Sequence, residues 1–102
     1  MIVIASDHAG VALKAELIEV IREVGREVRD LGPADTQSVD YPDVAHRVAE
    51  AVSSGAAEMG VLVCGTGIGM SLSANRHPGI RAALCHDAFT AEMARRHNDA
   101  NI

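Results

Sequence analysis

The sequence has few aromatic residues, little positive charge and no long apolar run. Tyr41 and Phe89 are its only aromatic residues, tryptophan is absent, and the formal net charge is −5. Single strands of nucleic acid stack on aromatic rings and duplexes attract clustered Lys and Arg, so we expect no nucleic acid partner. No segment reaches the roughly 18 uninterrupted apolar residues of a membrane span, so we expect no membrane partner.

The N-terminal residues do not have the pattern of a secretory signal. The apolar start has no basic flank before it, and Asp7 and His8 end the apolar run too early for a signal peptide. We therefore predict a cytoplasmic location.

Cysteine is also scarce. Cys64 and Cys85 are the only two, and neither belongs to a CxxC pair of the kind that binds zinc or exchanges disulfides. Each lies at the end of an apolar run, where cysteine commonly serves as a small buried residue. His46, His77 and His86 have no metal-ligand spacing, and we interpret them as surface or packing residues. The sequence predicts no metal site.

The 102 residues, 48% of them hydrophobic and 23% charged, have the size and balance of one globular domain. Short β-branched runs alternate along the chain with apolar residues at helical spacing. Strands are predicted at 1–5, 27–31, 59–64 and 80–85, and helices at 10–24, 41–53, 70–74 and 88–97.

This alternation is typical of an α/β fold. We expect a three-layer Rossmann-like or flavodoxin-like parallel sheet with helices on both faces. Ligands of such sheets bind beyond the carboxyl ends of the strands. Asp7, His8, Cys64 and Thr66 all lie at or just beyond the carboxyl ends of predicted strands, so we expect them to face one crevice.

A glycine-rich loop, Cys64-Gly65-Thr66-Gly67-Ile68-Gly69, follows the third predicted strand. It lacks the lysine of a P-loop, and Met70 occupies the third glycine position of the dinucleotide fingerprint. Its amides could hold a phosphate or an oxyanion, or the glycines could only make a tight turn. In the same way Cys64 could be a base or an inert buried thiol, and Thr66 could bind a ligand or satisfy the turn.

Two polar pairs beside predicted helix ends are equally open to two interpretations. Asp7 and His8 could meet a bound anion or hydroxyl, or Asp7 could simply cap the first helix. His97 and Asn98 lie where the last predicted helix ends, and His97 could interact with the helix dipole or transfer a proton.

Several short motifs, in this order, resemble the ribose-5-phosphate isomerase B family, whose wider members include allose-6-phosphate and galactose-6-phosphate isomerases. The resemblance extends from the first strand to the last residue. The motifs are Asp7-His8-Ala9-Gly10, Asp40-Tyr41-Pro42, the glycine-rich loop, Ala74-Asn75, Gly79-Ile80-Arg81-Ala82 and His97-Asn98-Asp99.

The resemblance implies reversible conversion of ribose 5-phosphate to ribulose 5-phosphate through an enediolate, without a metal or an organic cofactor. It also implies a homodimer or a dimer of dimers with active sites at the subunit interface. The implied substrate is a small phosphorylated sugar. Allose- or galactose-6-phosphate isomerisation, a binding module without chemistry and a purely structural domain are the alternatives.

The resemblance also implies roles for individual residues. Cys64 would be the base, and a family variant with a glutamate base after the last loop glycine is ruled out by Met70. The other implied roles are enediolate binding by the amides of Gly65, Gly67, Ile68 and Gly69, ring opening by Thr66 and His97, phosphate contact by His8, and sugar binding by Asp7, Tyr41 and, from a partner subunit, Asn98.

One departure from the family concerns the C-terminal side. Family members continue beyond the position of Ile102 with another strand, a C-terminal helix and arginines that bind phosphate. We therefore expect this chain to lack the last strand and the C-terminal helix of the family fold, and its exposed last strand could pair with another chain.

Overall fold

The computed structural model describes all 102 residues and has three strands and four α-helices. A single 3-10 turn, His8–Gly10, precedes the first helix. The elements in chain order are β1 (Ile2–Ser6), α1 (Val11–Glu23), β2 (Val28–Asp30), α2 (Tyr41–Ser53), β3 (Met59–Val63), α3 (Ile68–Ala74) and α4 (Ala88–Arg96).

The three strands form one parallel sheet in the order β2-β1-β3, which confirms the predicted α/β class. In the register, Ile2 lies opposite Val28 on one side and Met59 on the other. Because the central strand β1 is covered on both faces, its side chains alternate between two apolar layers. The carboxyl ends of all three strands lie at one edge, where the chain turns toward the helices.

The main core lies between the sheet and helices α2 and α3. Val3 and Ala5 of β1 pack there with Met70 of α3. Small and β-branched residues let α2 approach the sheet closely. The buried stripe of α2 consists of Val44, Ala45, Val48, Ala49 and Val52.

Helix α1 covers the other side of the sheet and buries an unexpected residue. Lys14 is a charged residue of a type that is rarely buried, but it is 2% exposed and, with Ile18, is one of the two buried residues of α1. Its ammonium donates to Asp30 Oδ1 at 2.9 Å and to the carbonyl of Pro33. A buried charge is tolerated when it is paired and hydrogen-bonded in this way.

The predicted strand at 80–85 is wrong. The structure has no strand there, because the edge of β3 is occupied by two other residues: Gly60 N donates to Asn101 O at 2.9 Å, and Ala83 N donates to Ile102 O at 2.9 Å. Asn101 and Ile102 therefore lie between β3 and the segment 81–83. The few backbone hydrogen bonds between the segment 81–83 and residues 101–102 do not form the continuous ladder that a strand requires.

The segment 81–83 also bonds an asparagine side chain, which takes the place of a neighbouring strand. The Asn75 amide donates to Ala82 O at 2.9 Å and accepts from Ala82 N at 2.7 Å. Two motifs that are separate in the sequence, Ala74-Asn75 and Gly79-Ile80-Arg81-Ala82, therefore form one unit in space.

Helix α4 begins at the predicted residue, Ala88, and Asp87 caps it. The Thr90 N–H donates to Asp87 Oδ1 at 2.7 Å. This bond, and then the Thr90 hydroxyl, hold the pKa of the Asp87 carboxyl below its usual range. The cap therefore stabilises the helix above the usual pKa of an aspartate and is lost as the pH falls through the lowered value.

The contact of α2 with β3 depends on Gly60. A Cβ there would lie 2.5 Å from Cγ1 of Val48, which is fully buried and too stiff at χ1 to move aside. We expect Gly60→Ala to lower the free energy of unfolding by about 1–3 kcal/mol in urea denaturation. Gly65→Ala, whose Cβ would meet no atom within 4 Å, is the control. Equal losses in the two variants would contradict this packing.

Candidate active site

An open cleft lies at the carboxyl edge of β1 and β3. All but one of its lining residues are predicted site residues, and the exception is Leu72, an exposed residue of α3 that was predicted to belong to a helix but not to the site. The cleft is lined by Asp7, Tyr41, Cys64, Gly65, Thr66, Ile68, Gly69 and Leu72.

Asp7 joins the ends of the two strands. Its N–H donates to Val63 O at 2.9 Å, and its Oδ1 accepts from the N–H groups of Ala9 and Gly10, each at 3.0 Å. The interpretation of Asp7 as a cap is therefore confirmed. Asp7 caps the 3-10 turn that precedes α1, and not α1 itself. The second carboxylate oxygen makes no hydrogen bond within the chain, so a ligand in the cleft could use it.

The glycine-rich loop turns back on its own first residue. Gly67 N donates to Cys64 Sγ at 3.0 Å, and Ile68 N donates to Thr66 Oγ1 at 3.2 Å. Gly67 has a φ of 79°, in the left-handed region that favours glycine. Both side chains thus support the turn. An N–H group directed at sulfur also stabilises negative charge on it.

Other amides of the loop remain free to bind. The N–H groups of Gly65, Thr66 and Gly69 donate to no group of the chain. The hydroxyl of Thr66 accepts a hydrogen bond but donates none. The loop therefore offers several donors beside the Cys64 sulfur, which is the arrangement that an anionic oxygen requires.

Two side chains outside the loop fix its shape. A Cβ on Gly67 would lie 2.5 Å from Cδ1 of Leu84, and a Cβ on Gly69 would lie 2.8 Å from Cε2 of Tyr41. Both glycines are therefore required by close approach, and Gly67 is required by its backbone conformation as well. Leu84 was not predicted, since nothing in its local sequence indicates contact with the loop.

Four predicted site residues do not line the cleft within one chain. One of them is Gly67, whose N–H is used by Cys64 Sγ, and the other three lie outside the loop. His8 is exposed in the 3-10 turn, and His97 and Asn98 are exposed after α4. None of the three lines the cleft with Cys64. Their predicted roles in binding and ring opening stay predictions.

A second, apolar groove of about 510 Å³ lies between β3 and the segment 81–85. It shares Cys64, Thr66 and Gly67 with the loop, and Ile102 lies in it.

The chain has no group of three or more His, Cys, Asp or Glu side chains placed to hold a metal ion. None of its helices has the length and apolarity to cross a bilayer. The cytoplasmic location stays a prediction.

The model of the family described as Ribose/Galactose Isomerase matches residues 2–102. The chain belongs to this family. It is therefore an isomerase, and the resemblance of its motifs to the ribose-5-phosphate isomerase B family is confirmed.

Individual relatives give the same result. The Escherichia coli (strain K12) protein named ribose-5-phosphate isomerase B is 44% identical over 96 residues, which are 94% of this chain and 64% of that protein. The structure of Clostridium thermocellum ribose-5-phosphate isomerase B matches with a TM-score of 0.95 and 51% identity, over 99% of this chain and 68% of that one. For the Trypanosoma cruzi type B enzyme the TM-score is 0.94 and the identity 53%, over 99% and 69%.

The contact of Tyr41 with Gly69 can be tested by a double-mutant cycle. In the parent chain we expect Gly69→Ala to destabilise the fold by about 1–3 kcal/mol, because the new methyl group meets the tyrosine ring. In a Tyr41→Ala background the same change should stabilise the fold by about 0.5–1 kcal/mol, because alanine is the better helix former. Urea denaturation of the four proteins measures both values, and additive effects would contradict the contact.

Proposed function

We propose that the protein interconverts ribose 5-phosphate and ribulose 5-phosphate through an enediolate, with Cys64 as the base. The observation that carries this proposal is the position of the Cys64 sulfur in one cleft with the unused amides of Gly65, Thr66 and Gly69. The names of the relatives, ribose-5-phosphate isomerase B, support the choice of substrate.

The chemistry of aldose–ketose exchange fits this cleft. A base has to carry a proton between C1 and C2, and hydrogen-bond donors have to stabilise the charge that develops on oxygen. The Cys64 thiolate takes the proton, and the loop amides hold the enediolate oxygen. The unused proton of the Thr66 hydroxyl assists opening of the furanose ring.

The remaining roles fall to groups around the loop. The free carboxylate oxygen of Asp7 binds sugar hydroxyls, and the exposed ring of Tyr41 lines the cleft. His8 contacts the phosphate. His97 and Asn98 do not reach the cleft of their own chain, so a second copy in a homodimer or a dimer of dimers supplies them to a site at the interface.

The substrate is tested by comparing three sugar phosphates. We expect turnover of ribose 5-phosphate at a higher kcat/KM than that of allose 6-phosphate or galactose 6-phosphate, measured by following ketose formation. A preference for either hexose phosphate would replace ribose 5-phosphate as the substrate. Loss of turnover on all three, with binding retained, would favour a binding module.

The base is tested by exchanging each cysteine separately. We expect Cys64→Ser to lower kcat by about 10²- to 10⁴-fold, the contribution of a positioned base, while ribose 5-phosphate binding measured by calorimetry is retained. Cys85→Ser is the matched control, since Cys85 lies outside the cleft and its thiol makes one hydrogen bond, to Ala83 O at 3.6 Å. Full activity of Cys64→Ser would exclude this base.

A further inference from the structure

The apolar groove between β3 and the segment 81–85 holds the beginning of a strand at one end. The carbonyl of Asn101 accepts from Gly60 N at 2.9 Å on one side, and its N–H donates to Arg81 O at 3.0 Å on the other. Two backbones that both bond to one backbone between them lie two strand spacings apart, about 9.5 Å. The groove therefore has the width that one inserted strand requires.

Further along β3, the backbone groups that face the groove have no partner. Val63 O accepts from Asp7 N on the side of β1, whereas Gly60 N–H points into the groove. Because alternate residues of a strand direct their backbone groups to the same side, Leu62 and Cys64 face the groove as Gly60 does. The Cys64 N–H donates to no group of the chain, and no strand of the sheet lies beside Leu62 on this side.

The other side of the groove alternates in the same way. Ala82 bonds the Asn75 side chain on the far side, whereas Ala83 N donates to Ile102 O on the groove side at 2.9 Å. Cys85 therefore faces the groove with Ala83, and its N–H makes no hydrogen bond. The Ala83 carbonyl accepts only from the Cys85 thiol, at 3.6 Å. Unused backbone donors and acceptors thus border the groove on both sides beyond Ile102.

Apolar side chains cover the groove on both faces of the sheet. Leu13 and Leu17 of α1 border it on one face, and Met70 of α3 borders it on the other. A parallel strand that is buried on both faces carries a continuous apolar run instead of alternating polar and apolar residues. The occupant that fits this groove is therefore an extended apolar segment with free N–H and C=O groups.

We propose that the groove is a strand-acceptor site, which binds an extended apolar peptide of another molecule through the unused backbone groups on both sides. From Asn101 to Ile102 the bonded partner advances toward the C-terminal end of the segment 81–85, so the peptide runs parallel to that segment. About three residues are enough to meet the unused groups, since each strand residue rises about 3.3 Å. The peptide supplies the continuous ladder that the segment 81–85 lacks, and this segment becomes a strand.

A second copy of this chain has no suitable segment to insert. Its central strand β1 lies inside the sheet, and its edge strand β2 contains the charged residues Arg29 and Asp30. Its apolar segment 81–85 is already bonded to Asn75 and Ile102 of the same chain. The partner is therefore a separate polypeptide with an extended apolar run, bound by addition of a strand to the sheet.

Binding of a defined peptide tests the acceptor site. The probe is acetyl-Val-Ala-Val-Ala-Val-Lys-Lys-amide, whose lysines keep the apolar part in solution. The matched control carries methyl groups on the backbone nitrogens of its valines, which removes N–H donors and leaves the apolar side chains. We expect calorimetry with the full chain to give a Kd about ten- to hundredfold lower for the probe, because the control loses several hydrogen bonds. Equal Kd values, or no binding of the probe, would overturn the proposal.

NMR of the complex locates the bound peptide. We expect nuclear Overhauser effects from the peptide backbone to the amides of both Leu62 and Cys85, because a strand inside the groove lies beside both. Contacts with β2, or with one side of the groove alone, would show pairing at an edge and contradict insertion. Sedimentation of the chain without peptide is the control for self-association: a dimer that excludes the probe would identify a second copy as the occupant and overturn the proposal.

Discussion

The candidate site depends on one hydrogen bond, from Gly67 N–H to Cys64 Sγ. Gly67 adopts a left-handed conformation in this turn, and Leu84 leaves no room for a side chain at that position. The N–H group directs a partial positive charge at the sulfur, and the neighbouring amides of Gly65, Thr66 and Gly69 have no partner within the chain. Those amides are then free for an oxygen that carries negative charge, which is the chemical requirement of enediolate formation.

The ends of strands β1 and β3 fix the position of the glycine-rich loop. Asp7 N–H bonds to Val63 O and fixes the ends of β1 and β3 to each other, immediately before the loop begins. The small residues of α2 and Gly60 on β3 allow the helix to pack tightly, and Tyr41 at the start of that helix reaches Gly69. Close packing therefore transmits the geometry of the core to the cleft, since a packed interior has no space to absorb displacements.

The sequence predicted the features that depend on neighbours along the chain. The alternation of strands and helices, the glycine-rich loop at the end of a strand and the capping interpretation of Asp7 all rest on local spacing. The features that it did not predict depend on residues far apart. The segment 80–85 has the composition of a strand, but a strand also requires a continuous partner. Lys14 is buried because Asp30 and the carbonyl of Pro33 lie where its ammonium ends. The side chains of His46 and His77, whose Nδ1 and Nε2 are 2.8 Å apart, meet only after α2 and α3 have packed.

The central claim is that Cys64 moves a proton at the reacting carbons. It is tested most directly by incubating ribose 5-phosphate with the protein in heavy water and following deuterium at C2 by NMR. The account predicts that deuterium is incorporated in the presence of the parent protein and that this incorporation is lost in Cys64→Ser at equal substrate occupancy. Incorporation at an unchanged rate in that variant would contradict the account.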